Sequence, residues 1–245
     1  LRPNKRLGQH FLMDRGVLDA IAVLAVRQPQ ERVLEIGAGT GALTEALLAH
    51  GARVTALEYD RGLAQLLRSR PELAAATIVE TDALKFDIAA YAAEAEPWSA
   101  AGNLPYYITS PLLFALLEAR PQPERIVVMV QEDVAQRLTA KPGSASYGSL
   151  TLAIGFFMHV ERKMLLRPAH FYPKPGVDSR VIVLTRHEQP PVATHDARFM
   201  MQVVRAGFAY RRKTLANSLS LAMSISRERT AGALRALGLE AEIRG

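Results

Sequence analysis

Asn103-Leu104-Pro105-Tyr106 is the stretch of this 245-residue chain whose residue types are best suited to chemistry on a small molecule. A carboxamide accepts hydrogen bonds through its oxygen and donates them through its nitrogen. Proline withdraws a backbone donor and fixes its own φ, so the neighbouring carbonyls, that of Leu104 included, take set directions. Tyr106 then offers an aromatic face for stacking. Amide, rigid turn and ring together suit a planar heterocycle that carries an amino group. They offer a hydride acceptor no evident help.

A second constellation lies upstream. Val33-Leu34-Glu35-Ile36 reads as a buried strand that runs into Gly37, Gly39 and Gly41, and then into helical spacing over 42–48. Strand, Gly-rich turn and helix form a nucleotide-sized notch at the carboxyl ends of an open α/β sheet. The glycines let a ligand lie against bare backbone. Gly37-Ala38-Gly39-Thr40-Gly41-Ala42 also satisfies the G-x-G-x-x-A dinucleotide fingerprint, so an NAD-dependent oxidoreductase stays open on this motif alone. Glu58 lies 17 positions beyond Gly41, close to where such folds hold ribose hydroxyls. Both readings need it. Asp82 follows the third strand at the same rim, where it can meet an adenine amino group or simply serve as a turn or capping residue.

The charge balance points to a polyanionic partner. Net charge is +6 and the pI about 9.8, with Arg outnumbering Lys, and guanidinium groups suit phosphate. Tyr210-Arg211-Arg212-Lys213 is the densest cationic cluster, and an aromatic followed by three cations suits a phosphate backbone; such a run can also be plain solvated surface. Cysteine is absent, which excludes disulfides, thiolate metal sites and Cys nucleophiles. The six histidines are scattered without metal-ligand spacing. No apolar run approaches the ~18 residues of a membrane span, and no signal-peptide core follows the basic start, so a cytoplasmic location is expected.

The elements that position these residues alternate as in an α/β sheet. Residues 1–13 read as a basic arm able to dock, followed by a helix over 14–26. Strands are expected at 33–36, 53–58, 77–81, up to Asn103, and at 125–130, with helices over 42–48, 61–70 and 109–117. Thr109 or Ser110 is the expected cap of the last of these. A surface loop at 141–148, a helix at 150–157 and a strand at 159–166 follow. Pro173 and Pro175 stiffen a loop at 168–176 that carries Phe171, Tyr172 and Lys174, before a final strand over 177–186. Beyond a linker at 187–191, helices at 197–208, 215–223 and 227–237 form a unit too small to fold well alone. The expected domains are therefore 1–187 and 188–245.

In their order, these pieces resemble the ribosomal RNA adenine dimethyltransferases, relatives of the Erm resistance methylases. Gly8-Gln9-His10-Phe11-Leu12, Glu35 to Gly41, Glu58-Tyr59-Asp60, Asp82-Ala83, Asn103 to Tyr106, Phe171 to Ser179 and Arg211-Arg212-Lys213 carry the likeness across nearly the whole chain. The resemblance implies a Rossmann-like, class I methyltransferase fold: a mostly parallel seven-stranded sheet with a small C-terminal helical domain. S-adenosylmethionine is the implied methyl donor, with His10, Leu12, Gly37, Gly39, Glu58, Tyr59, Asp82, Ala83 and Asn103 around it. Asn103, Leu104, Pro105, Tyr106 and Phe171 would handle the target base, Phe171 closing the side opposite Tyr106. Arg211, Arg212, Lys213 and Lys174 would meet RNA. The implied product is dimethylated adenine at two adjacent positions near the 3′ end of 16S rRNA, in the small ribosomal subunit, with a role in subunit biogenesis. A monomer without metal is expected. The chain ends soon after Leu239, short of the length the resemblance implies. The alternatives are an Erm-type 23S rRNA methyltransferase and, from another class, the NAD-dependent oxidoreductase.

Overall fold

The computed structural model describes residues 9–94, 97–105, 108–240 and 242–243. The first described elements are a two-residue strand β1 (Phe11–Leu12) and helix α1 (Arg15–Ala25), whose Asp14 cap accepts from the Val17 amide at 3.1 Å. Strands and helices then alternate: β2 (Arg32–Ile36), α2 (Ala42–Ala49), β3 (Arg53–Glu58), α3 (Arg61–Ser69), β4 (Thr77–Glu80), α4 (Ile88–Glu94), β5 (Trp98–Asn103), α5 (Thr109–Glu118), β6 (Arg125–Gln131), α6 (Glu132–Leu138) and α7 (Ser149–Phe157). β7 (Met158–Leu166), the short β8 (Phe171–Tyr172) and β9 (Ser179–Arg186) follow, then α8 (Ala197–Ala209), α9 (Leu215–Met223) and α10 (Arg227–Ala236).

Seven strands form one sheet in the order β4-β3-β2-β5-β6-β9-β7, parallel except for β9, which runs antiparallel to both of its neighbours. The central strands β2 and β6 are buried on both faces, which is why they read as apolar runs rather than alternations. Register matters most for the site. Ile36 is level with Leu57 of β3 and with Gly102 of β5, and Glu58 is level with Glu80. The glycine turn, Glu58 and Asn103 therefore leave the sheet at one rim.

Several local expectations change. Helices α4 and α6 carry too few residues for a sequence period to announce them. Thr109 is the first helical residue of α5, after Ile108, and its hydroxyl donates to the Pro105 carbonyl at 3.1 Å instead of capping. β1 and β8 pair antiparallel, Phe11 with Tyr172 and Leu12 with Phe171, a long-range contact that two-residue strands do not signal.

The chain divides into two compact units, Leu1–Gln136 with Phe157–Glu188, and Arg137–Phe156 with Gln189–Gly245. The stretch 137–156, placed in the first domain by the sequence reading, thus groups with the C-terminal helices. The reason is local: Tyr147 meets the Phe208 ring edge-on at 6.0 Å, and Arg211 donates to the carbonyls of Ala145 and Tyr147 at 3.1 and 3.2 Å. In this unit Ala206, Ala216, Leu219, Ala231 and Leu234 form a small core. Ser218 and Thr230 hydroxyls donate to the buried carbonyls of Ala206 and Ala216, at 2.6 and 3.1 Å.

Candidate active site

A cavity of about 400 Å³ opens at the rim where β2, β3 and β5 end. Its floor is the glycine turn, tied to the sheet by hydrogen bonds from the Gly37 and Ala38 amides to the Leu57 carbonyl at 2.9 and 3.1 Å. Gly39 is required twice over. Its φ is +58°, and a Cβ there would lie 3.1 Å from the Phe11 ring, which the N-terminal arm lays across the turn.

Glu58 is buried beside this turn. One carboxylate oxygen accepts from the Gly39 amide at 2.7 Å and the other from the Asp60 amide at 2.8 Å. Burial pushes its carboxyl above the ordinary range, and the two amides hold it back by favouring the charged form. Each oxygen retains a lone pair for a further donor. Asp82 lines the same cavity while one of its oxygens accepts from the Leu84 amide at 3.0 Å, so the turn role and the cavity position coexist. Ala83 gives a small flat wall and Tyr59 an exposed ring at the edge.

Asn103 closes the opposite side. Its Nδ2 donates to the His10 carbonyl at 2.7 Å. A carbonyl can only accept, so the amide is fixed with its nitrogen towards the arm and its oxygen turned the other way. The His10 ring in turn donates from Nδ1 to the Pro173 carbonyl at 2.7 Å, which ties the arm to the segment after β8. Leu104 is buried, its amide bonded to the Met129 carbonyl at 3.1 Å, and with Pro105 it lines the cavity.

Ten sequence-derived residues thus converge on one cavity: His10, Gly37, Gly39, Glu58, Tyr59, Asp82, Ala83, Asn103, Leu104 and Pro105. Tyr106 lies outside the described residues. Leu12 lines a smaller void of about 40 Å³ behind the turn and is not a wall of the main cavity. Phe171, expected to close one side of a base, is 4% exposed and packs in the core with Leu12. Alternation explains this correction: pairing with Leu12 turns Phe171 inward and leaves Tyr172 outward. Lys174, Arg211, Arg212 and Lys213 are exposed, and Arg211 is engaged with the 141–148 loop. The sequence reading missed Ile36, Leu57 and Ile108 as apolar walls of the cavity. The apolar pulses ending two of the strands were the available signal.

One buried acid was also missed. Glu35 of β2 is fully enclosed and lines the small void. Burial pushes its carboxyl up to about 7, with the charge of Glu58 adding to the effect and the Thr44 backbone amide opposing it. Neither Glu35 Oε2 nor the Thr44 hydroxyl completes a hydrogen bond within the described structure. Between the ordinary carboxylate range and about pH 7 the folded chain keeps this proton while the unfolded chain has released it. Stability contributed at this site therefore falls as pH rises through that window and is flat above it. Glu35→Gln should remove this fall, on the order of 3 kcal/mol, as read by denaturant unfolding at pH 5 and pH 8. Equal pH dependence in both proteins would contradict the assignment.

Strand order, the single antiparallel strand and a nucleoside-sized cavity at the glycine turn define a class I methyltransferase, and the dinucleotide-oxidoreductase reading falls away. The chain matches the family described as ribosomal RNA adenine dimethylase over residues 1–239, and it belongs to that family. It is 41% identical to the ribosomal RNA small subunit methyltransferase A of Geobacter metallireducens, across 100% of this chain and 90% of that protein. It is 45% identical to the protein of the same name from Magnetococcus marinus, across 89% of this chain and 79% of the relative. Among solved structures it is similar to a dimethyladenosine transferase from Plasmodium falciparum (TM-score 0.71, 26% identity, 96% of this chain and 91% of that one). It is also similar to the 23S rRNA methyltransferase ErmE (TM-score 0.68, 29% identity, 95% and 91%).

Proposed function

We propose that this enzyme transfers methyl groups from S-adenosylmethionine to the N6 amino groups of two adjacent adenines near the 3′ end of 16S rRNA in the small ribosomal subunit, giving dimethyladenine. The observation that carries the reading is the fixed carboxamide of Asn103 at the edge of a cavity fitted to a nucleoside. When bound, S-adenosylmethionine supplies a methyl group on a sulfonium, already a good leaving group. The residues present fit it: Glu58 has lone pairs left for ribose hydroxyls, and Asp82 lies where an adenine amino group can meet it. Ile36, Leu57 and Ile108 supply apolar walls, and the volume lies within the range of small-molecule sites.

An exocyclic adenine amine is a poor nucleophile because its lone pair is delocalised into the ring. The Asn103 oxygen and the Leu104 carbonyl can accept its two hydrogens and favour a pyramidal nitrogen. Alignment and electrostatics then carry the catalysis. The base must leave its stack to reach them, and Tyr106 is the expected stacking partner. Thermal-shift measurements test the cofactor: S-adenosylhomocysteine should stabilise the protein and NAD should not, and the reverse would reject the reading.

Charge distribution supports RNA as the partner. Arg137–Phe156 with Gln189–Gly245 holds eleven Lys and Arg against four Asp and Glu, a balance of +7, so the rest of the chain stands at −1. Arg212 and Lys213, both exposed, are the better phosphate ligands, because Arg211 is occupied with the 141–148 loop. Replacing Arg212 and Lys213 by Ala should reduce the salt slope of RNA binding by about one for each phosphate no longer neutralised. An unchanged slope would remove both from the interface. The same unit is the candidate for contacts made during subunit biogenesis.

A further inference from the structure

Phe171 is buried and its neighbour Tyr172 is 58% exposed, although the two adjacent aromatics look alike in sequence. The difference follows from the β1–β8 pair. Residues directly opposite in an antiparallel pair share a face, so Tyr172 stands on the face of Phe11, and Phe171 on the face of Leu12. Phe11 lines the cavity, whereas Leu12 and Phe171 are core. Tyr172 is also tied to the reacting end of the site. Asn103 bonds the His10 carbonyl, and His10 bonds the carbonyl of Pro173, the residue after Tyr172. Two hydrogen bonds thus connect the Asn103 amide to the residue beside this ring.

We propose that Tyr172 is a substrate-positioning residue that stacks on the base next to the adenine being methylated. The proposal rests on the RNA reading above. Tyr172 is not a wall of the cavity, so its ring does not enclose the base that enters. It stands exposed on the side of the β1–β8 pair that carries the cavity-lining Phe11, within reach of a nucleotide that stays outside when its neighbour is extruded. A platform on one side of the cavity meets the same-side neighbour in both rounds of reaction: in one round that is the other adenine, and in the other round it is the nucleotide flanking the pair. An exposed aromatic suits this task because every base has a π face, and stacking tolerates the exchange of an adenine for the flanking nucleotide.

The test compares Tyr172→Ala, Tyr172→Phe and Tyr172→Trp with the unaltered protein, using undermethylated small subunits and an RNA carrying 2-aminopurine beside the target adenine. Tyr172→Ala should raise KM for the subunits roughly ten-fold or more, leave S-adenosylhomocysteine binding within two-fold, and abolish the quenching of 2-aminopurine on binding. Phe and Trp should preserve both, because the ring and not the hydroxyl acts. An unchanged KM and unchanged quenching in Tyr172→Ala would overturn the proposal. So would an equal loss of cofactor binding, which marks a structural role, or a failure of Phe to rescue. Absence of transfer by the unaltered protein would instead count against the RNA reading itself.

Discussion

Replacing Asn103 by Ala should lower the turnover number for methyl transfer by about 10²- to 10³-fold, the scale for removing one preorganised polar group from a reacting centre. The amide is held by the His10 carbonyl at 2.7 Å and turns its oxygen away from the arm. Alanine removes that acceptor outright. Gln9, the other carboxamide lining the cavity, belongs to the arm and not to the strand end, so it does not take the same place. Affinity for S-adenosylhomocysteine should fall far less, because Glu58, Asp82 and the glycine turn keep their own supports. Single-turnover rates and calorimetric affinities separate the two effects. Turnover close to that of the unaltered protein would refute the role, and a parallel collapse of cofactor binding would mean that Asn103 acts chiefly by anchoring the arm.

The second large effect is structural. At Gly102 of β5 a Cβ would lie 2.3 Å from the carbonyl oxygen of Ile36, the residue that leads into the glycine turn. The obstacle is backbone of a central strand, so no side chain can move to make room. Gly102→Ala should cost about 3 kcal/mol, at the upper end of overpacking penalties. The melting temperature should drop by about 6–12 °C. Cofactor affinity should fall as well, because any relief must displace Ile36 and Gly37. Scanning calorimetry with and without S-adenosylhomocysteine measures both, and a melting temperature within a degree or two would show that the strands tolerate the methyl group.

The two effects differ in how plainly the sequence announced them. Asn103 and the glycines were legible because a contiguous run of residue types states its own geometry: alternate glycines need open φ space, and Asn before Leu-Pro needs a fixed turn. The crossovers through α2, α3 and α5 were legible from apolar pulses separated by helical spacing, whereas the one through the short α4 was not. What could not be read was decided by distant partners. Phe171 and Tyr172 exchange inward and outward places according to a register with Phe11 and Leu12, some 160 residues away. Arg211 looked like one of three equivalent cations, yet two carbonyls of the 141–148 stretch engage it. Those hydrogen bonds also carry that stretch into the helical unit. Glu35 was passed over because an acid inside an apolar strand gives no sign of whether its side chain finds a partner. In the structure Oε2 finds none, and burial leaves the group titrating near neutrality.

The most direct measurement is transfer of labelled methyl from S-adenosylmethionine to undermethylated small ribosomal subunits, followed by nucleoside analysis of the RNA. The proposed function predicts dimethyladenosine confined to two adjacent positions near the 3′ end of the small-subunit RNA. Label found only in large-subunit RNA, or no transfer by a protein that binds S-adenosylhomocysteine, would contradict it.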